Sequence, residues 1–331
     1  PKSTNYLYYF FSDSYVFAFF FFILIENLYF SKKFIQKFVK LNLIVVLIAT
    51  FVSILQIFYP TLLAPQFLED SMLVNLFVNR ASSIYASINV NSIGFTFPII
   101  IVLLVSYYKL LKKYNIVFVL LFCFTVVAFL SQARYIIFSL LIVFIHFIFN
   151  KNNLLNKKIK YFALTVLSLI FAIIILDFVD FNVLFSAFDR FSNLNDDTSL
   201  SARFKSYFVF LQVFPQNFLF GVGPSTRDDV LYLLDGIPII HVGHLSFLYF
   251  YGLFGSFLFY SFIFSLLKVT ANIKRNFNFS GMYIGILIFL VANLSLFYYN
   301  LGEPGFLALI IFTKFFNDKL SQDKTQIKSI K

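Results

Sequence analysis

Residues His241–Lys268 read HVGHLSFLYFYGLFGSFLFYSFIFSLLK, and the fold follows from how this stretch is taken. From Leu245 to Leu267 it carries no charge. An apolar helix of roughly 20 residues, rising about 1.5 Å each, crosses the hydrocarbon core of a bilayer, so a spanning helix is predicted over about 245–267. Two of the chain's three histidines, His241 and His244, stand at its mouth. Gly252 and Gly255 follow inside it. At about 100° per residue, His241 and Gly252 fall about 20° apart, and His244, Leu248, Gly255 and Phe259 share their stripe. Glycines there remove side chains and let a second helix approach.

The rest of the chain repeats the apolar pattern. Of its 331 residues, 60% are hydrophobic and 12% charged, whereas a soluble protein of that size would need a far more polar exterior. Further apolar runs lie at about 6–25, 41–59, 92–108, 115–131, 135–149, 161–176, 281–300 and 303–316. Together they predict an all-α polytopic membrane protein of about nine transmembrane helices (8–10), built as a single membrane domain over 1–331. Tyr8, Tyr9, Tyr59, Tyr107, Tyr108, Tyr298 and Tyr299 mark the ends of runs, as an interfacial aromatic belt would. The single cysteine, Cys123, excludes an internal disulfide and a cysteine metal cluster.

The net charge of +11 would suit an anionic partner such as nucleic acid. Its distribution points elsewhere. Lysines crowd alternate connections: Lys32, Lys33, Lys37 and Lys40; Lys109, Lys112 and Lys113; Lys151, Lys157, Lys158 and Lys160; Lys268 and Lys274; then the tail. By the positive-inside rule those connections are cytoplasmic, and the charge is a topology signal. Every arginine but Arg275 falls on the opposite side, with most of the acidic residues, Glu303 among them. Arginine suits bidentate recognition of carboxylate or phosphate in a way lysine does not. One outward loop is large, about 177–244.

Within that loop Asp197 or Thr198 caps a predicted helix and Pro215 stops it. Arg203 and Tyr207, four apart, share a face, while Phe204, Phe208, Leu211 and Val213 form an apolar side suited to a membrane surface. Gly221 and Gly223 then permit a tight turn with exposed N–H groups, a candidate anion nest. An ordinary surface helix and turn is the plainer alternative. Arg80 and Arg134 stand at the edges of other runs, where a lone arginine can simply snorkel to headgroups. Three arginines and paired histidines on one outer face would instead form a positive cleft for a lipid-linked phosphate or diphosphate. For the histidines, interfacial hydrogen bonding is the bland alternative, and a metal site with Asp228, Asp229 or Asp235 a weaker one. His146 is read as structural.

These segments resemble the O-antigen ligase and O-antigen polymerase family of integral membrane glycosyltransferases. NRASSIYASINVNSIGF (79–95) resembles the family's arginine and Asn-Pro-Asn opening segment, with Val90 in place of proline. SQARYIIFSLLIVF (131–144) resembles its Ser-Arg turn, with two residues inserted before Arg134. SARFKSYFVFLQVFPQNFLFGVGPS (201–225) resembles the loop with Arg203, Tyr207, Pro215 and the paired glycines. His241, Gly252 and Gly255 match the family's histidine-glycine-glycine spacing; Val242 departs from it, and His244 adds a second candidate.

The resemblance implies transfer of a glycan from undecaprenyl diphosphate to a sugar hydroxyl at the outer face of a bacterial inner (cytoplasmic) membrane. Arg80, Arg134 and Arg203 would bind the diphosphate, and His241 or His244 would act as general base. Tyr207, Gly221, Gly223, Gly252 and Gly255 would support them. No metal and no cofactor are implied. Expected partners are the lipid-linked oligosaccharide, the growing polysaccharide, membrane lipids and a chain-length regulator protein. The modest outward loop favours a polymerase of repeat units over a ligase to lipid A core or protein. A transporter or flippase would need ionisable residues deep in the spans and repeat symmetry.

Overall fold

The structure, a computed structural model, describes residues 14–59, 96–131, 134–149, 205–208, 210–212, 214–221, 242–292 and 303–329, with the single positions 163 and 166. Among these residues regular structure is entirely helical. The helices are α1 (Ser14–Glu26), α2 (Lys32–Phe58), α3 (Phe97–Leu110), α4 (Tyr114–Ser131), α5 (Arg134–Phe149), α6 (Gly243–Phe277), α7 (Gly281–Ala292) and α8 (Pro304–Ser329). Each lies over a predicted apolar run, with α2 beginning before its run and α6 and α8 continuing past theirs; residues 6–13, 92–95, 293–300 and, but for those single positions, 161–176 of the predicted runs lie outside the described residues. By length and composition, Lys32–Gln56, Tyr114–Ser131 and Gly243–Phe277 are long and apolar enough to cross a membrane.

Local signals set the boundaries. Ser31 accepts a hydrogen bond from the Phe34 N–H at 3.1 Å and starts α2 well before its apolar run; the lysines that follow are good helix formers. Pro98 occupies the first turn of α3, where a missing N–H costs nothing. Lys112, at φ 58°, reverses the chain between α3 and α4, and the Lys113 N–H closes the turn on the Tyr108 carbonyl at 2.9 Å. Asn278, at φ 53° and ψ 27°, ends α6 in the left-handed conformation that asparagine tolerates.

At the centre lies α7. Ile284, Ile286, Ile288 and Phe289 are all buried, so this helix is apolar on every side. It runs antiparallel to α3: Gly281 sits against Val102 and Ser106, and Gly285 nearer the start of α3, against Ile99 and Leu309. Phe289 stacks obliquely on Phe306 of α8, with centroids 4.6 Å apart. The perimeter is also apolar. On α2, Leu41, Ile44, Ile48 and Phe51 form an exposed stripe opposite the buried Val39, Val46 and Ala49. On α6, Phe254, Phe257 and Phe264 stand outward, Phe257 at 70% exposure. Such a surface would aggregate in water and is the expected one in hydrocarbon.

The bundle has a polarised pair of ends. Lys32 and Lys33 begin α2, Lys109 ends α3, and Lys274 and Arg275 end α6. Lys274 lies 4.9 Å over the Tyr283 ring of α7. At the opposite end α3 and α8 begin side by side, and α4 passes into α5. The Thr96 hydroxyl donates to Glu303 Oε2 at 3.1 Å.

Candidate functional site

A straight helix was expected to carry His241, His244, Gly252 and Gly255 on one stripe. The structure breaks that helix. Gly252 has φ 62° and ψ −168°, a region open in practice only to glycine. His244 Nδ1 lies 2.8 Å from the Tyr260 hydroxyl, whereas sixteen residues of straight helix would separate them by about 24 Å. The Phe247 and Phe259 rings likewise meet, with centroids 4.6 Å apart. α6 is therefore a V of two arms that meet at Gly252. The long arm, Leu253–Phe277, spans about 37 Å and can cross a bilayer; the short arm, Gly243–Tyr251, spans about 13 Å and cannot. The predicted single span is corrected to this hairpin, and the stripe argument fails at its tip.

The tip is clasped by residues 217–221. The Leu253 and Phe254 N–H groups, orphaned at the start of the long arm, donate to the carbonyls of Phe218 at 2.8 Å and Leu219 at 3.0 Å. Gly221, at φ 71°, faces Gly252 backbone to backbone. A Cβ on Gly252 would overlap the Leu219 carbonyl, and one on Gly221 would overlap the Phe250 carbonyl. Gly255 leaves room for Tyr251, whose Cβ would lie 2.6 Å from a Cβ added there. Gly252 and Gly255 thus serve a sharp turn rather than a helix–helix approach. Of the anion nest expected at Gly221 and Gly223, the Gly221 N–H is committed to the Asn217 carbonyl at 2.8 Å, and Gly223 lies outside the described residues.

Between the arms, both ring nitrogens of His244 are engaged. Nε2 lies 3.2 Å from the Leu290 carbonyl oxygen of α7 and Nδ1 faces Tyr260. A carbonyl only accepts, so Nε2 carries a hydrogen; in the neutral ring Nδ1 then accepts the Tyr260 O–H. Tyr260 sits about 11 Å along the long arm from Leu253, so His244 lies below the hairpin tip, against the last turn of α7.

The other predicted residues divide as follows. Arg80, Arg203, Gly223, His241, Asp228, Asp229 and Asp235 lie outside the described residues. Arg134 opens α5, where its backbone is described and its side chain is not. Tyr207 is 46% exposed on the helical stretch 205–208. Phe208 and Leu211 are exposed beside it while Ser206 and Phe210 are buried, and the Phe210 and Phe214 rings stack with centroids 4.6 Å apart. Pro215 lies in the short 3-10 turn Phe214–Gln216 that follows.

The model of the O-antigen ligase family matches residues 116–260. Over that segment the chain resembles O-antigen ligases and polymerases. Members of that family are glycosyltransferase-like enzymes acting on lipid-linked polysaccharides. No curated protein and no solved structure matches the chain. The ligase-like segment enters at Ile116 in α4, includes Arg134, Arg203, the 217–221 clasp, both histidines and the hairpin tip, and ends on Tyr260. Arg80 precedes it and Glu303 follows it.

Sequence reasoning missed Tyr260, Leu290 and the Thr96–Glu303 pair. Nothing in the spacing links Tyr260 to His244, since the link exists only through the break. Glu303 was legible in part. An acidic residue followed by Pro304 is a helix-start signal, and a carboxylate is favoured near that positive end. Its burial at 6% exposure was not legible. A separate groove of about 210 Å³, lined by Phe22, Phe262, Leu266, Thr313 and Lys314, lies farther along the long arm and includes none of these residues.

Proposed function

We propose that this protein polymerises lipid-linked oligosaccharide repeat units of a surface polysaccharide, O-antigen or capsule, at the outer face of a bacterial cell membrane. The glycan leaves undecaprenyl diphosphate and joins a sugar hydroxyl of the acceptor. Arg80, Arg134 and Arg203 stabilise the charge that develops on the departing diphosphate, an interaction strengthened where water is excluded. A histidine, His241 or His244, takes up the acceptor proton. Neither metal nor cofactor takes part in this scheme. The lysine end is cytoplasmic, the loop 177–244 faces outward from a single membrane domain of about nine spans, and a chain-length regulator is the expected protein partner.

One observation carries the reading. Thr96, the start of α5 at Arg134, the 217–221 clasp and the short arm of α6 lie in the half of the bundle opposite the lysines. This supports an outward-facing site at that end, to which the reading assigns Arg80, Arg134, Arg203 and a histidine. The description of the matched family favours a second reading, a ligase that transfers finished glycan to lipid A core or protein.

Purified protein in vesicles, given lipid-linked repeat units without ATP or metal, is expected to yield longer glycans. Transfer to lipid A core without chain extension selects the ligase, and neither product favours transport. Arg203→Lys keeps the charge but loses the guanidinium fork, and a large loss of activity is expected. Wild-type activity in both Arg203→Lys and His241→Ala would refute the site.

A further inference from the structure

We infer that Tyr260 and His244 form a two-residue proton relay in which Tyr260 meets the acceptor hydroxyl and His244 stores its proton. The inference rests on the transfer reading above and deepens it.

The geometry is specific about which atoms act. The Leu290 carbonyl fixes the hydrogen on Nε2, so the basic nitrogen of the ring is Nδ1. Nδ1 is occupied by the Tyr260 hydroxyl at 2.8 Å. A substrate hydroxyl therefore reaches this histidine through Tyr260. Both contacts survive protonation without moving a heavy atom: in the imidazolium, Nε2–H still donates to Leu290 and Nδ1–H donates back to the tyrosine oxygen. A pair held in one place in two protonation states suits a relay, because little reorganisation accompanies the transfer.

The surroundings agree. Both side chains are half-buried, and partial burial strengthens the hydrogen bond between them. His244 and Tyr260 also belong to the matched segment, which ends on the tyrosine.

The step balances. The acceptor oxygen forms a bond to the anomeric carbon while the bond from that carbon to the diphosphate oxygen breaks, and the diphosphate leaves with the electron pair. The acceptor proton passes to the tyrosine oxygen as the tyrosine proton passes to Nδ1. His244 ends as the imidazolium and later releases its proton to water.

The test is single-turnover transfer from lipid-linked repeat units by wild type, Tyr260→Phe and His244→Gln, in H2O and D2O. Tyr260→Phe keeps the ring and the packing. Its expected result is a fall in turnover of about 10²-fold, within the range of general acid–base catalysis, with donor KM and thermal midpoint unchanged and the solvent isotope effect reduced. A purely structural tyrosine would not move the isotope effect. If wild type transfers glycan and Tyr260→Phe retains both rate and isotope effect, the relay is overturned and the transfer reading stands. If wild type transfers nothing, both fall together. His244→Gln serves as the second variant: wild-type turnover there overturns the relay even if Tyr260→Phe fails to fold.

Discussion

Replacing Gly252 by alanine tests the hairpin most directly. Two costs add. The backbone at φ 62° and ψ −168° lies where an L-residue is strained by about 1–3 kcal/mol. The new Cβ would also overlap the Leu219 carbonyl and approach the Gly221 nitrogen to 2.5 Å. Both are backbone atoms that cannot rotate away, and such overpacking costs about 1–3 kcal/mol more. The sum, about 2–6 kcal/mol, matches or exceeds the about 1–3 kcal/mol that the two clasp hydrogen bonds from Leu253 and Phe254 return together. The expected outcome is an opened clasp, measured as a lowered unfolding midpoint in mixed micelles and as protease cleavage within 217–221. Gly285→Ala is the control. Its Cβ would meet Leu309 Cδ1 at 2.8 Å, the far end of a flexible side chain, and alanine regains about 1 kcal/mol of helix propensity. Near-neutral stability is expected there. A neutral Gly252→Ala, or a Gly285→Ala that costs more, would refute the reasoning.

Gly221→Ala should resemble Gly252→Ala, and the double variant should cost clearly less than the sum, because both open one clasp; additive losses in the same unfolding assay would argue against it. Thr96→Val removes the hydroxyl that donates to the buried Glu303 carboxylate and should cost about 1–3 kcal/mol. Unchanged stability of Thr96→Val in the same unfolding assay would show that the hydroxyl is not needed there. Lys314 lies 3.1 Å from Asp318 and 3.7 Å from Glu26, whose side chain is 79% exposed. Lys314→Ala is accordingly expected to cost no more than about 1 kcal/mol, with a larger loss in micelle unfolding counting against that assignment.

Much of the architecture was legible because a bilayer imposes a one-dimensional rule. An uncharged run long enough to satisfy its backbone within itself must be helical, and lysines sort to one side. Hence α2, α4 and the long arm of α6 fall on their predicted runs, and the lysines at Lys32, Lys109 and Lys274 gather at one end. The hairpin escaped that rule. Gly252 and Gly255 look the same in sequence whether they admit a neighbouring helix or a chain reversal, and the choice depends on residues 217–221, about thirty positions away.

The sequence by itself therefore determined an all-helical bundle with a lysine end, and residue types that pointed to transfer from a lipid diphosphate. Only the tertiary structure decided that α6 turns back at Gly252, that the 217–221 clasp holds it there, and that His244 meets Tyr260 and Leu290. Burial in hydrocarbon acts on each run separately and can be read along the chain. The reversal is set by backbone-to-backbone contact between Gly221 and Gly252, which exists only after distant segments have met.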